Sequence, residues 1–262
     1  MKVAIACGGT GGHLFPGLAT AECLAAGGHE VALWLSGRDV ESSVRAHWSG
    51  ETVTVRASGM PRGARLAGLV RGFMLIAAAG RAWRRMRRDR PDVVLAMGGY
   101  ASVAPVLAAR LCGVPVVLHE ANAVPGRAVT FLARFAKVVG LAFEDAARFF
   151  GSTPTEVTGL PIRGSVLPPE TFRRRSDDGV HVLVMGGSQG AHALNELVPE
   201  GICRWAAARA GQVRVTHLCG QKDWDAVRAR YRAGGVEASV QAFVSDMAPV
   251  YRTATVAFAR SG

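Results

Sequence analysis

Apolar residues are gathered into short runs, each followed by small or polar residues and then by a stretch long enough for a helix. VAIAC (3–7), VALWLS (31–36), PDVVLAMGG (91–99), VPVVLHE (114–120) and VVGLAF (138–143) repeat this plan. Brief apolar runs bounded by turn residues read as strands covered on both faces. The segments between them read as helices, the first from about Pro16 to Ala26. Strand alternating with helix predicts a doubly wound parallel α/β sheet.

A second series begins at HVLVMGGSQG (181–190), continues through a helix from about His192 to Ala210, and adds VRVTHL (213–218), ASVQAF (238–243) and TATVAFA (253–259). The two halves share one plan. Between them TGLPIRGSVLPPE (158–170) is rich in proline and glycine and RRRSDDG (173–179) is polar, so domains of 1–162 and 163–262 are expected. The second series stops after a strand and the opening of a turn, Arg260, Ser261 and Gly262, which reads as a C-terminally truncated domain with impaired activity.

Charge changes the picture locally. The net charge is +11, yet residues 56–90 hold ten arginines against the single acid Asp89. Arg81, Arg84, Arg85 and Arg88 recur at helical spacing, which puts a cationic stripe on one side of a helix with Trp83 and Met86 turned away. Two readings remain open: a solvated helix packed on a sheet, or a surface for anionic lipid in which Leu69, Phe73 and Ile76 enter the interface while the arginines meet phosphates. No zinc-finger, helix-turn-helix or aromatic strand motif accompanies the charge, which argues against nucleic acid. The apolar stretch 66–79 is too short to span a bilayer and contains Arg71. Five scattered cysteines, Cys7, Cys23, Cys112, Cys203 and Cys219, have no metal-ligand spacing and read as buried thiols in a reducing compartment.

The chemistry lies in the glycine turns. In GGTGGH (8–13) the third glycine of a dinucleotide fingerprint is replaced by Leu14, and no acid ends the second strand, where Ser36 and Gly37 follow Leu35. An NADP-dependent oxidoreductase with Arg38 on the 2′-phosphate stays as an alternative, as does a basic nucleic-acid-binding protein. The turn itself, placed before a helix N-terminus, suits a phosphate group. Asp223 and Asp225 read as first-turn helix acids rather than metal ligands.

GGTGGHLFPGLA (8–19), His119-Glu120 with Asn122, and GGSQGAHALN (186–195) occur in this order, together with MGGYAS (97–102), LPIR (160–163) and AFVSDMAPVY (242–251). In combination they resemble glycosyltransferase family 28, in particular the transferases of peptidoglycan synthesis that convert lipid I to lipid II. The resemblance spans the chain. It implies a GT-B fold of two Rossmann-like domains with the active site in the cleft between them. It also implies inverting transfer of N-acetylglucosamine (GlcNAc) from UDP-GlcNAc to the C4 hydroxyl of N-acetylmuramic acid on lipid I. The implied partners are UDP-GlcNAc, lipid I, an anionic membrane surface, and other cell-wall synthesis and division proteins. Neither metal nor other cofactor is implied, and the expected location is peripheral, on the cytoplasmic face of the bacterial cell membrane.

Residue roles follow from the same resemblance. His13 is the first candidate for the base that takes the acceptor proton, held neutral by the positive helix end, and Glu120 is the second. The N-terminal turn resembles the lipid-acceptor cradle and the second turn the donor cradle. Donor contacts are implied for Thr10, Gly11, Gly12, Asn122, Arg163, Ser188 and Val244. Acceptor or cleft positions are implied for Gly9, Tyr100, His119, Gln189 and Asn195. Leu160 departs from the family pattern, which has asparagine there.

Overall fold

The computed structural model describes residues 1–38, 41, 44, 48–55, 65–166, 179–187, 190–208, 213–244 and 246–260, with backbone alone at 65–75 and 165. The chain divides into two compact units, Met1–Arg163 and Gly164–Gly262.

The first unit is built on a parallel sheet of seven strands: β1 (Lys2–Ala6), β2 (Glu30–Leu35), β3 (Glu51–Thr54), β4 (Val93–Ala96), β5 (Val116–Glu120), β6 (Val138–Leu141) and β7 (Thr155–Val157). Their order across the sheet is β3-β2-β1-β4-β5-β6-β7. Five were expected from their apolar runs. The two missed strands, β3 and β7, are the edges, where ETVT and TEV are largely exposed and carry no apolar run to betray them.

Side chains of β1 alternate between two cores. Val3, Ile5 and Cys7 join Leu14 and Leu18 of α1 (Gly11–Ala26), whereas Ala4 and Ala6 join Ala78, Ala82 and Met86 of α2 (Arg65–Asp89) and Ala104 and Ala108 of α3 (Val103–Cys112). This period of two is what lets one central strand bury both faces. Helix α1 begins five residues before the expected start. Thr10, in extended conformation, is its N-cap, and Pro16 lies inside the helix, where it removes one N–H near the open end.

Helix α2 carries the basic segment. Met86 and Ala82 are buried and Arg81, Arg84 and Arg88 are exposed, in keeping with the expected stripe. Arg85 departs from it: its guanidinium bonds Glu51 on β3 and Asp89, tying the sheet edge to the helix. Arg88 also touches Asp89, at 3.3 Å. Ile76 is 71% exposed, while the side chains of Leu69 and Phe73 lie outside the described residues. No helix among the described residues is long and apolar enough to cross a membrane.

The second unit repeats the plan with four parallel strands, β8 (Val180–Met185), β9 (Val213–Leu218), β10 (Ala238–Gln241) and β11 (Val256–Ala259), in the order β10-β9-β8-β11. All four were expected. A short helix α4 (Arg127–Leu132) lies between β5 and β6 in the first unit; in the second, Val182, Val184 and Val215 pack against Ile202 of α5 (His192–Ala207) and against Val227 and Tyr231 of α6 (Trp224–Ala233). The expectation of five buried thiols needs correction. Cys7 and Cys219 are buried, Cys112 and Cys203 are half-buried, and Cys23 is exposed on the outer face of α1.

Candidate active site

In each sheet the strand order reverses beside the first strand, between β1 and β4 in one unit and between β8 and β11 in the other. At such a switch point the connections leave in opposite directions and open a crevice at the carboxyl ends of the strands. The glycine turns lie there: residues 8–12 follow β1, and Gly186, Gly187 and Gly190 follow β8.

In the first turn Thr10 makes no side-chain cap to α1, and the Gly11 and Gly12 amides have no acceptor among the described residues. A helix start of this kind presents N–H groups and the positive end of its dipole to an anion. His13, the third residue of α1, packs against the loop after β4. A Cβ at Gly99 would stand 2.9 Å from the His13 ring, and Gly99 has φ 71°. Both its conformation and the ring's proximity therefore demand glycine. His13 Nδ1 is buried and has no hydrogen-bond partner among the described residues. Burial, rather than the helix end invoked from the sequence, is the leading cause that lowers the His13 pKa; Glu120 and the Met97 backbone oppose it, and His119 adds to it. The ring is therefore neutral near pH 7.

β5 ends in the other two candidates. His119 Nε2 lies 2.9 Å from the Gly159 carbonyl and so donates to it, and Nδ1 is buried with no hydrogen-bond partner among the described residues. Glu120 is 1% exposed. Its Oε1 accepts from Asn122 N and Nδ2, both at 2.8 Å, and its Oε2 accepts from Gly126 N at 3.2 Å. Those bonds make Glu120 the organiser of the 120–126 loop and hold the exposed Asn122 in place. Tyr100, opening a single turn at Tyr100–Ser102 that leads into α3, is 49% exposed. Arg163 stacks its guanidinium over Phe15 of α1, 4.9 Å from the ring centre.

Sequence reasoning missed Glu41. It is fully buried and accepts hydrogen bonds from Gly9 N, Ser36 N, Ser36 Oγ, Gly37 N and Arg38 N. These bonds hold its pKa below the ordinary carboxylate range against the opposing effect of burial. The expected signal was an acid at the end of β2; the acid instead lies six residues beyond Leu35 and folds back. Arg38, the residue assigned to a 2′-phosphate in the NADP alternative, gives its backbone N–H to Glu41 and turns its guanidinium toward the Gly9 carbonyl at 3.4 Å.

Of the second turn, Ser188 and Gln189 lie outside the described residues. Asn195, expected in a cleft, is 1% exposed and serves the interior. Its Nδ2 donates to the Cys219 carbonyl (2.8 Å) and to Asp223 (2.7 Å), so its Oδ1 accepts from His217 Nε2 (2.9 Å). His217 Nδ1 then accepts from Tyr231 Oη at 3.1 Å. The chain of bonds ties the first turn of α5 to the end of β9 and to α6. Asp223 also meets His192 at 3.1 Å. Val244, after β10, is half-buried.

The glycosyltransferase family 28 N-terminal domain matches residues 3–141 and the family's C-terminal domain matches residues 181–262. A protein of Halorhodospira halophila is 40% identical over 275 residues, covering 99% of this chain and 72% of its own. One of Trichlorobacter lovleyi is 34% identical over 281 residues, covering 100% and 74%. Both are named UDP-N-acetylglucosamine--N-acetylmuramyl-(pentapeptide) pyrophosphoryl-undecaprenol N-acetylglucosamine transferase. The crystal structure of Acinetobacter baumannii MurG matches with a TM-score of 0.71 at 31% identity, covering 100% of this chain and 72% of that one. With both domain families matched in order on two Rossmann-like sheets, the chain has an α/β GT-B fold and belongs to glycosyltransferase family 28.

Proposed function

We propose that this chain carries the machinery that moves GlcNAc from UDP-GlcNAc to the C4 hydroxyl of N-acetylmuramic acid on lipid I, inverting the anomeric carbon and giving lipid II. The observation that carries the reading is the pair of glycine turns, each at the switch point of its own parallel sheet and each followed by a long helix. Substrates with two diphosphates, one on the nucleotide and one on the lipid, suit two such helix starts. The relatives' printed names supply the sugar and the acceptor.

In this reading the acceptor hydroxyl attacks C1 of GlcNAc, the bond from C1 to the UDP oxygen breaks, and the hydroxyl proton passes to a base. His13 takes that role ahead of Glu120, because its ring is neutral and its Nδ1 has no hydrogen-bond partner among the described residues, whereas three donors already occupy the Glu120 carboxylate. Arg163 is assigned to oppose the charge that grows on UDP, Ser188 and the second glycine turn to the donor phosphates, and Val244 to the uracil ring. Thr10, Gly11, Gly12 and Asn122 are assigned to donor binding, and Gly9, Tyr100, His119 and Gln189 to the acceptor. No step needs a metal, since helix ends and an arginine supply the positive charge.

The first unit is the acceptor and membrane side, the second the donor side. The exposed arginines of α2 with Ile76 suit anionic lipid, which supports a peripheral location on the inner face of the bacterial membrane.

UDP release from UDP-GlcNAc in the presence of a soluble lipid I analogue tests the reading. We expect acceptor-dependent release, lowered about 10²–10⁴-fold in kcat by His13→Ala with KM little changed. Release independent of acceptor, or a His13→Ala variant with wild-type kcat, overturns it.

A further inference from the structure

We infer that Glu41 is a positioning residue for the first glycine turn, clamping Gly9 so that the start of α1 is held in shape for a diphosphate; this rests on the diphosphate reading proposed above. One side chain fastens two strand ends. Oε1 accepts from Gly9 N at 3.0 Å, just after β1, and from Ser36 N at 2.9 Å and Ser36 Oγ at 2.6 Å, just after β2. Oε2 accepts from Gly37 N at 2.6 Å and Arg38 N at 3.1 Å. A carboxylate offers about four lone-pair sites, so five donors leave it no capacity for a ligand hydroxyl. It acts on the site through the backbone.

The backbone it holds is the relevant part. Gly9 has φ 113°, a conformation that only glycine adopts without strain, and it directly precedes the N-cap Thr10. A Cβ on Gly8 would stand 2.4 Å from Ser36 N, so the two strand ends are already in contact beneath the turn. The Arg38 guanidinium reaching the Gly9 carbonyl holds the same peptide from its other side. Losing the carboxylate unpairs four backbone amides, of which Ser36 N is buried, and frees the residue that sets the direction of α1. Among the described residues, Cys7 faces the carboxylate, its thiol pushed up to about 12 by burial and by Glu41, while the Arg38 guanidinium is directed at the Gly9 carbonyl.

The test uses the full ¹⁵N-labelled chain with inorganic pyrophosphate as probe, comparing wild type with Glu41→Gln and Glu41→Asp. For Glu41→Gln we expect shifted amide signals at Gly9, Ser36 and Gly37 and about a tenfold weaker pyrophosphate response at Gly11 and Gly12. Amides of the second unit should stay in place, and Glu41→Asp should recover part of the affinity. Wild-type signals at Gly9 to Gly12 with unchanged pyrophosphate affinity in Glu41→Gln overturn the inference. Absence of any saturable response in the wild type overturns the diphosphate reading instead, while the unliganded spectra still judge the clamp. Should Glu41→Gln not fold, an acid titration of the wild type decides. The Glu41 ¹³Cδ and the Gly9 and Gly37 amide protons must move together, at a midpoint below the ordinary carboxylate range. A Gly9 amide that ignores Glu41 overturns the clamp.

Discussion

Gly99 and His13 are packed so closely that a Cβ at position 99 would stand 2.9 Å from Cδ2 and 3.0 Å from Nε2 of the imidazole. The glycine belongs to the loop after β4 and the histidine to the first turn of α1, the two segments that flank the switch point. Gly99→Ala therefore carries two costs, a side chain at φ 71° and a displaced ring. We expect a loss of about 1–3 kcal/mol in urea denaturation and a shifted His13 ¹³Cε1 resonance. Wild-type stability with an unmoved His13 signal would show that this contact does not set the ring's place.

His217 gives the second unit a pH dependence. Burial lowers its pKa from 6.5 to about 4. The unfolded chain takes up the proton first, so the stability tied to the neutral ring is complete above pH 6.5 and is lost as pH falls toward about 4. The loss amounts to about 3 kcal/mol. Denaturation curves at pH 7 and pH 4, followed by Trp224 fluorescence, should show it. In His217→Gln the slope between the two should flatten.

Asn195→Ala removes the acceptor of the His217 Nε2–H and the donor to the Cys219 carbonyl, both buried. A loss of about 1–3 kcal/mol is expected, with increased hydrogen exchange at Cys219 and in the first turn of α5. An Asn195 confined to surface contacts would give less than about 0.5 kcal/mol.

The arginines of α2 separate into two kinds. Replacing exposed Arg81, Arg84 and Arg88 with Gln should weaken binding to vesicles containing anionic lipid by about 1 kcal/mol per residue, an effect erased by salt. Arg85→Gln should alter vesicle binding less and instead loosen β3, because its partners are Glu51 and Asp89. Equal losses from the two replacements would refute the division.

The amino-acid sequence by itself determined nine of the eleven strands found among the described residues, the two-unit plan and the glycine turns. A buried parallel strand must be apolar along its length, and a tight strand-to-helix turn must be small. It did not determine β3 or β7, because an edge strand is half solvated and needs no apolar run. Tertiary structure alone decided which polar residues serve the site and which serve the interior. Asn195, though part of a glycine-turn motif, is spent on His217, Cys219 and Asp223. Glu41, with no motif of its own, closes on Gly9 from 32 residues away. Hydrogen bonds of that kind depend on where two strands end relative to one another, a relation set by the sheet order and by no local pattern in the chain.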